Sequence, residues 1–278
     1  MNGSIRGMVC VAVVGLLGVG FVGTVSAQQD ETQIVPLSDP SRPGKVELHI
    51  LNGGTITVHG ENRRDVSVAI RGATLGRGRN ERPAPPGMKR LTQSPGFEIT
   101  EARNEIQIEA STFSQNSGAI ELRVPLRTNL ELGTINGGTI TVENVEGELE
   151  ISNVNGSVVL NNVAGSVVAN SQNGGVTATL SRIMADKAMA FTSMNGKVDV
   201  TLPSNLKATL KMRSDNGDIF TDFDVQLQQR PAAVSRGGGN NRGTKIEVNR
   251  ALYGTVNGGG AEIELRSFNG SIYLRKGQ

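Results

Sequence analysis

The side chains best suited to chemistry are few, and their spacing serves it poorly. His49 and His59 are the only histidines and stand ten residues apart. Each is flanked by apolar residues that would turn inward in a strand, which leaves the imidazoles on exposed strand faces. A zinc site would need further ligands at fixed spacing. The single cysteine, Cys10, lies far upstream, and no carboxylate keeps a ligand spacing to either histidine. No Gly-x-Ser-x-Gly elbow occurs, so a Ser-His-Asp arrangement has little to draw on. The acidic run Asp215, Asp218, Asp222 and Asp224 includes Ser214-Asp215-Asn216-Gly217-Asp218, which has part of a calcium loop. Its glycine comes too early and no glutamate follows at the bidentate position. Glu148 and Glu150 flank Leu149 on one expected strand, so they neighbour each other instead of facing across a cleft as glycoside hydrolysis requires. Sugar-cleaving enzymes also stack their substrates on aromatic rings, and this chain has no Trp and only two tyrosines, Tyr253 and Tyr273. The chain is therefore read as a non-enzyme without cofactor or metal. A carbohydrate-active β-solenoid enzyme is the rival from another class, and an envelope-stress structural protein of the periplasm is a third reading.

Charge says more than catalysis does. Residues 73–96 carry Arg77, Arg79, Arg82, Lys89 and Arg90 against Glu81 alone, a net +4. Residues 230–243 carry Arg230, Arg236 and Arg242 with no acidic residue, a net +3. Without Arg6 the chain has 27 basic and 26 acidic residues, so taking these two segments from its net +1 leaves −6 elsewhere. Arginines of this kind pair bidentately with carboxylate or phosphate groups. Those eight basic residues are the candidate contacts for an anionic glycan or envelope polymer. A near-neutral total gives no support to nucleic-acid binding.

Both segments interrupt a strongly patterned chain. The composition holds 36 Gly, seven Phe and no Trp, so Val, Ile and Leu must build the core. Gly-x-φ-x-φ, with φ usually apolar, begins at Gly54, Gly118, Gly138, Gly147, Gly156, Gly165, Gly174, Gly196, Gly217 and Gly270. From Gly138 to Gly174 the steps are four consecutive intervals of nine, reading GTITV, GELEI, GSVVL, GSVVA and GGVTA. Five alternating residues plus a four-residue turn give that period. It points Ile140, Val142, Leu149, Ile151, Val158, Leu160, Val167 and Val176 to one side. Units GKVDV and GDIFT follow at steps of 22 and 21. A helical period is absent apart from a weak candidate at 183–190.

Asn precedes glycine at Asn52, Asn136, Asn155, Asn173, Asn195, Asn216, Asn257 and Asn269. Both residue types tolerate φ > 0, so each pair is expected to mark a tight turn. In a stacked fold the Asn side chains could also form a hydrogen-bonded ladder. At the start of the chain, Arg6, the uncharged stretch Val9–Val25 and the small residues Val25-Ser26-Ala27 read as a cleaved secretory signal over 1–27. Residues 28–44, with three prolines, read as an extended leader. A single β-repeat domain over 45–278 follows, with no transmembrane segment in the mature chain.

Units such as Val154-Asn155-Gly156-Ser157-Val158, Met194-Asn195-Gly196-Lys197-Val198-Asp199-Val200 and Asp215-Asn216-Gly217-Asp218-Ile219 resemble those of bacterial putative adhesin domains. The resemblance covers roughly residues 45–275 and is densest over 134–225. It implies an all-β fold, a right-handed β-solenoid of short NG-punctuated strands, with a β-sandwich or meander as the alternative. It implies export to the periplasm or cell exterior, and it transfers no catalytic residue.

Overall fold

The computed structural model describes residues 31–52, 54–71, 97–110, 118–228, 233–236, 244–247 and 251–277. All of its regular elements are strands; 183–190, the weak helix candidate, holds the end of one strand, a turn and the start of the next. The chain opens with β1 (Glu31–Pro36), β2 (Gly44–Asn52), β3 (Thr55–Glu61) and β4 (Asp65–Arg71). Next come β5 (Phe97–Ala102), β6 (Glu105–Ala110), β7 (Ala119–Pro125), β8 (Thr128–Asn136) and β9 (Ile140–Glu143). The middle holds β10 (Glu146–Asn153), β11 (Val158–Ser171), β12 (Val176–Ile183), β13 (Met189–Ser193) and β14 (Val198–Leu202). After β15 (Ala208–Ser214), β16 (Ile219–Thr221) and β17 (Gln226–Gln228) come β18 (Ala233–Arg236) and β19 (Thr244–Glu247), a separate hairpin. The chain closes with β20 (Leu252–Val256), β21 (Ala261–Ser267) and β22 (Ile272–Lys276).

The nine-residue period is half of a coil. Each coil places one strand in each of two parallel walls, and in the nine-residue units the successive glycines alternate between opposite corners, Gly147 and Gly165 stacking at one and Gly138, Gly156 and Gly174 at the other. The first wall runs β6, β2, β8, β10, the C-terminal half of β11, β13, β21, β15. The second runs β7, β3, β9, the N-terminal half of β11, β12, β14, β22, β16. In-register parallel pairing stacks like on like: Leu132 neighbours Leu48 and Ile151, while Val142 neighbours Val58 and Leu160. All eight residues expected on one side are at most 2% exposed and join a single core between the walls. Volumes balance along the stack. Phe191, the largest fully buried side chain, sits beside Ala169 of the preceding coil.

Stacking order departs from chain order at both ends. The outermost coil at one end is β6–β7, although β2–β3 precede it in sequence. At the other end the final coil, β21–β22, lies between β13–β14 and β15–β16. The GDIFT unit therefore does not stack on GKVDV; the C-terminal coil separates them. Antiparallel strands cover most of the ends, β5 on β6, β4 on β7 with β1 outside it, and β20 on β15. Such covers keep parallel edges from templating other chains. The segment expected as an extended leader is built into one cover. Beyond β1, Asn104 holds it by accepting from the Asp39 amide at 2.7 Å and donating to the Asp39 carbonyl at 2.6 Å.

Candidate binding surfaces

Of the eight basic candidates, Arg77, Arg79, Arg82, Lys89, Arg90, Arg230 and Arg242 lie outside the described residues. Arg236 ends β18, where its backbone pairs with Thr244.

The coil faces can be followed residue by residue. His49 and His59 fall on different walls, His49 3.9 Å from Glu131 and His59 3.2 Å from Glu143. Glu150, expected beside Glu148 on one strand, has a second neighbour that sequence spacing could not show. It lies in register with Glu131, which lies in register with Glu47. This row of carboxylates stands on an open face and is tied by Lys45, which pairs with Glu47 and reaches Glu131 at 2.9 Å. Lys45 holds the Glu47 carboxyl below its usual range, and the two glutamates push the ammonium above its own. On the second wall Asp199 takes Arg275 at 2.7 Å and Lys197 at 3.0 Å. Burial alone would raise its carboxyl, yet these two partners bring it down. Beside them Tyr273 stacks on Phe220 with ring centroids 5.2 Å apart, a pair assembled from residues 53 positions apart by the inserted final coil. The acidic run is dispersed: Asp215 pairs with Arg213, and Asp222 accepts from the Lys276 amide. Among the described residues no three His, Cys, Asp or Glu side chains gather as a metal site.

The most regular surface follows the corner where the first wall turns into the second. Seven of the eight Asn-Gly asparagines form one ladder in the order Asn52, Asn136, Asn155, Asn173, Asn195, Asn269, Asn216. Each amide donates to the preceding carbonyl oxygen at 2.8–2.9 Å. The ladder corrects the expectation that tight-turn geometry explains every copy. Of these eight asparagines only Asn257 adopts positive φ, at 49°, ahead of Gly258 at 85°. In the ladder the glycines serve closeness instead: a Cβ on Gly174 would stand 2.4 Å from the Gly156 carbonyl oxygen, and one on Gly196 2.5 Å from that of Gly174. Two positions before five of the seven ladder asparagines stands a buried small polar side chain, Thr134, Asn153, Ser171, Ser193 or Ser267. Ser171, Ser193 and Ser267 donate to the carbonyls of Gly156, Gly174 and Gly196 at 2.7–3.0 Å. The serine recurs in the sequence as Ser-x-Asn-Gly, a signal that the glycine period overshadows.

The residue just before the asparagine lies on the outside of the corner. Leu51, Ile135, Val154, Gln172, Met194 and Phe268 occupy it in successive coils, and Asp215, paired with Arg213, occupies it in the last. Of the ten large apolar side chains exposed among the described residues, four belong to this row: Leu51 at 67%, Ile135 at 43%, Met194 at 51% and Phe268 at 44%.

Parallel coils, a self-bonded polar corner and charge-compensated faces define an all-β stacked-coil protein whose surfaces repeat along one axis. The chain belongs to the Toastrack family, DUF4097, whose model matches residues 24–257, stopping short of the final coil. It is similar to the crystal structure of a putative cell adhesion protein from Clostridium sporogenes, with 10% identity and a TM-score of 0.42 over 90% of this chain and 100% of that one. It is also similar to a putative adhesin from Bacteroides fragilis, with 8% identity and a TM-score of 0.27 over 89% of this chain and 97% of that one. Among curated proteins no match is found. No helix among the described residues is long and apolar enough to cross a membrane.

Proposed function

We propose that this protein is an exported, non-enzymatic adhesin-like module of the cell envelope, a right-handed β-solenoid that carries basic segments to an anionic polymer. The observation behind this reading is how the coils spend their charge. Lys45 pairs with Glu47 and Glu131, Arg123 with Glu61 and Glu121, Lys211 with Glu264, and Arg275 with Asp199. Acidic groups so occupied are poorly placed to take up protons in catalysis. The excess positive charge lies in 73–96 and 230–243, at net +4 and +3. Its chemistry suits uronate-, phosphate- or sulfate-bearing glycans and teichoic-type polymers. The signal segment Val9–Val25 with Val25-Ser26-Ala27 would deliver the chain to that setting in the periplasm or cell exterior.

The test is a glycan array probed with protein recovered after export. Binding to acidic glycans with little to their neutral counterparts is expected. Absence of binding, or a preference for neutral sugars, would contradict the proposal. The intact mass of the same sample should correspond to a chain beginning at Gln28; a mass that retains Cys10 would overturn the cleaved signal.

A further inference from the structure

The exposed apolar row at the Asn corner has no role in the fold. Its side chains point away from a core that is already closed by Ser171, Ser193 and Ser267. The position accepts polar residues, since Gln172 occupies it in one coil. Asp215 occupies it in another. Apolar residues at the remaining five coils therefore cost solubility with no return in packing, which marks an interaction surface.

The shape and area of the row restrict its occupant. It lies on the turn between two walls, so it is a ridge and offers no cleft to enclose a small ligand. Five strand spacings of ~4.8 Å make it about 24 Å long and one side chain wide. It exposes roughly 400 Å², half of the ~800 Å² per partner that a stable protein–protein contact buries. A soft apolar phase needs no matching surface. The charges agree with that. The flanking positions on the first wall, two residues back, are His49, Gly133, Ser152, Asn170, Thr192, Arg266 and Arg213; the one carboxylate in the row itself, Asp215 at its end, is paired with Arg213 at 2.7 Å. The Glu47–Glu131–Glu150 row begins four residues back, about 13 Å along the strand, beyond the ~8 Å over which charge is felt at physiological salt. On the other flank stands the neutral Asn ladder.

We propose that this ridge inserts into the interfacial region of a lipid bilayer, laying the coil axis along the membrane surface. Leu51, Ile135, Val154, Met194 and Phe268 would enter the acyl boundary, with the Asn amides at headgroup level. Interfacial attachment through a modest apolar face is a known mode of reversible membrane binding. The proposal goes beyond the polymer-binding reading, because it uses a different surface and needs no anion.

Vesicles of pure phosphatidylcholine separate the two, since they carry no net charge for the basic segments to hold. Flotation of the exported protein with such vesicles should show binding that survives 0.5 M salt. Leu51→Ser with Ile135→Ser, and separately Met194→Ser with Phe268→Ser, should each weaken it at least tenfold. Gln172→Leu closes the gap in the row and should tighten it about five- to tenfold. That gain cannot come from misfolding. Failure of the wild type to float, equal flotation of the serine variants, or no effect of Gln172→Leu would each overturn the proposal. So would a concentration-dependent dimer that the serine variants abolish while vesicles go unbound, because the row would then be covered by a second copy. Loss of glycan binding with vesicle binding intact would leave the ridge standing and remove only the polymer reading.

Discussion

Gly174 shows what a single residue decides in this fold. Its backbone is not left-handed, so an alanine would meet no φ penalty there. The obstacle is the Gly156 carbonyl oxygen 2.4 Å from the added Cβ, a backbone atom that cannot swing aside. Gly174→Ala should therefore cost several kcal/mol, in the range of overpacking and strain, read as a lowered denaturant midpoint. The neighbouring Asn173 donates to Asn155 and accepts from Asn195. Asn173→Ala should cost about 1 kcal/mol for its two exposed bonds. Asn173→Asp should cost more at neutral pH, because it sets a carboxylate oxygen against the Asn155 carbonyl, and part of that extra loss should return on acidification. The Asn-Gly pairs were legible as structural, but their reason was not. Whether Gly serves a left-handed turn or a close approach depends on what lies in the next coil, about 18 residues away. Glu47 adds a pH dependence. Lys45 lowers its carboxyl in the native state, so its contribution is present above the ordinary carboxylate pKa of ~4.3 and fades as pH falls through the lower native value. Glu47→Gln should flatten the fall in denaturant midpoint between pH 5 and 3.

At the scale of the element, the strands were the readable part. Val158 pairs with Ile140 and Val176 and is fully buried, whereas the half-buried Val159 lies outward between Thr141 and Thr177. Val158→Asp should cost several kcal/mol by placing an unpaired charge in the core, and Val159→Asp under about 1 kcal/mol. Equal midpoints for the two variants would refute the alternation. β11 shows where local reading ends. Two nine-residue units that read as separate strands are one 14-residue strand, which turns the corner at Asn162, with φ 52°, and Gly165, with φ 119°. The exposed apolar row was equally hidden. Each member alone is an unremarkable surface residue, and only register across coils aligns them.

On the scale of the whole molecule, sequence order misleads about spatial order. The steps from Asn195 to its ladder neighbours Asn173 and Asn269 differ widely, 22 and 74 positions, yet the bonds are alike. Insertion of the final coil depends on which edges need a partner, and no local period encodes that. Truncation after Asn257 removes β21 and β22 and opens a slot between β13–β14 and β15–β16. The expected outcome is a large fall in thermal midpoint with aggregation of the unpaired edges; a wild-type midpoint would contradict this topology. The charge partition belongs to the same scale: a net +7 on two segments, 73–96 and 230–243, against −6 over the rest of the chain without Arg6. The direct measurement is elution from an anionic matrix in a salt gradient, comparing the exported wild type with a variant lacking 77–90 and carrying Arg236→Gln and Arg242→Gln. The account predicts that the variant keeps the wild-type melting temperature and passes unretained near ~0.15 M salt, where screening is moderate, while the wild type is held. A wild type that is not retained, or a variant retained as strongly, would contradict it.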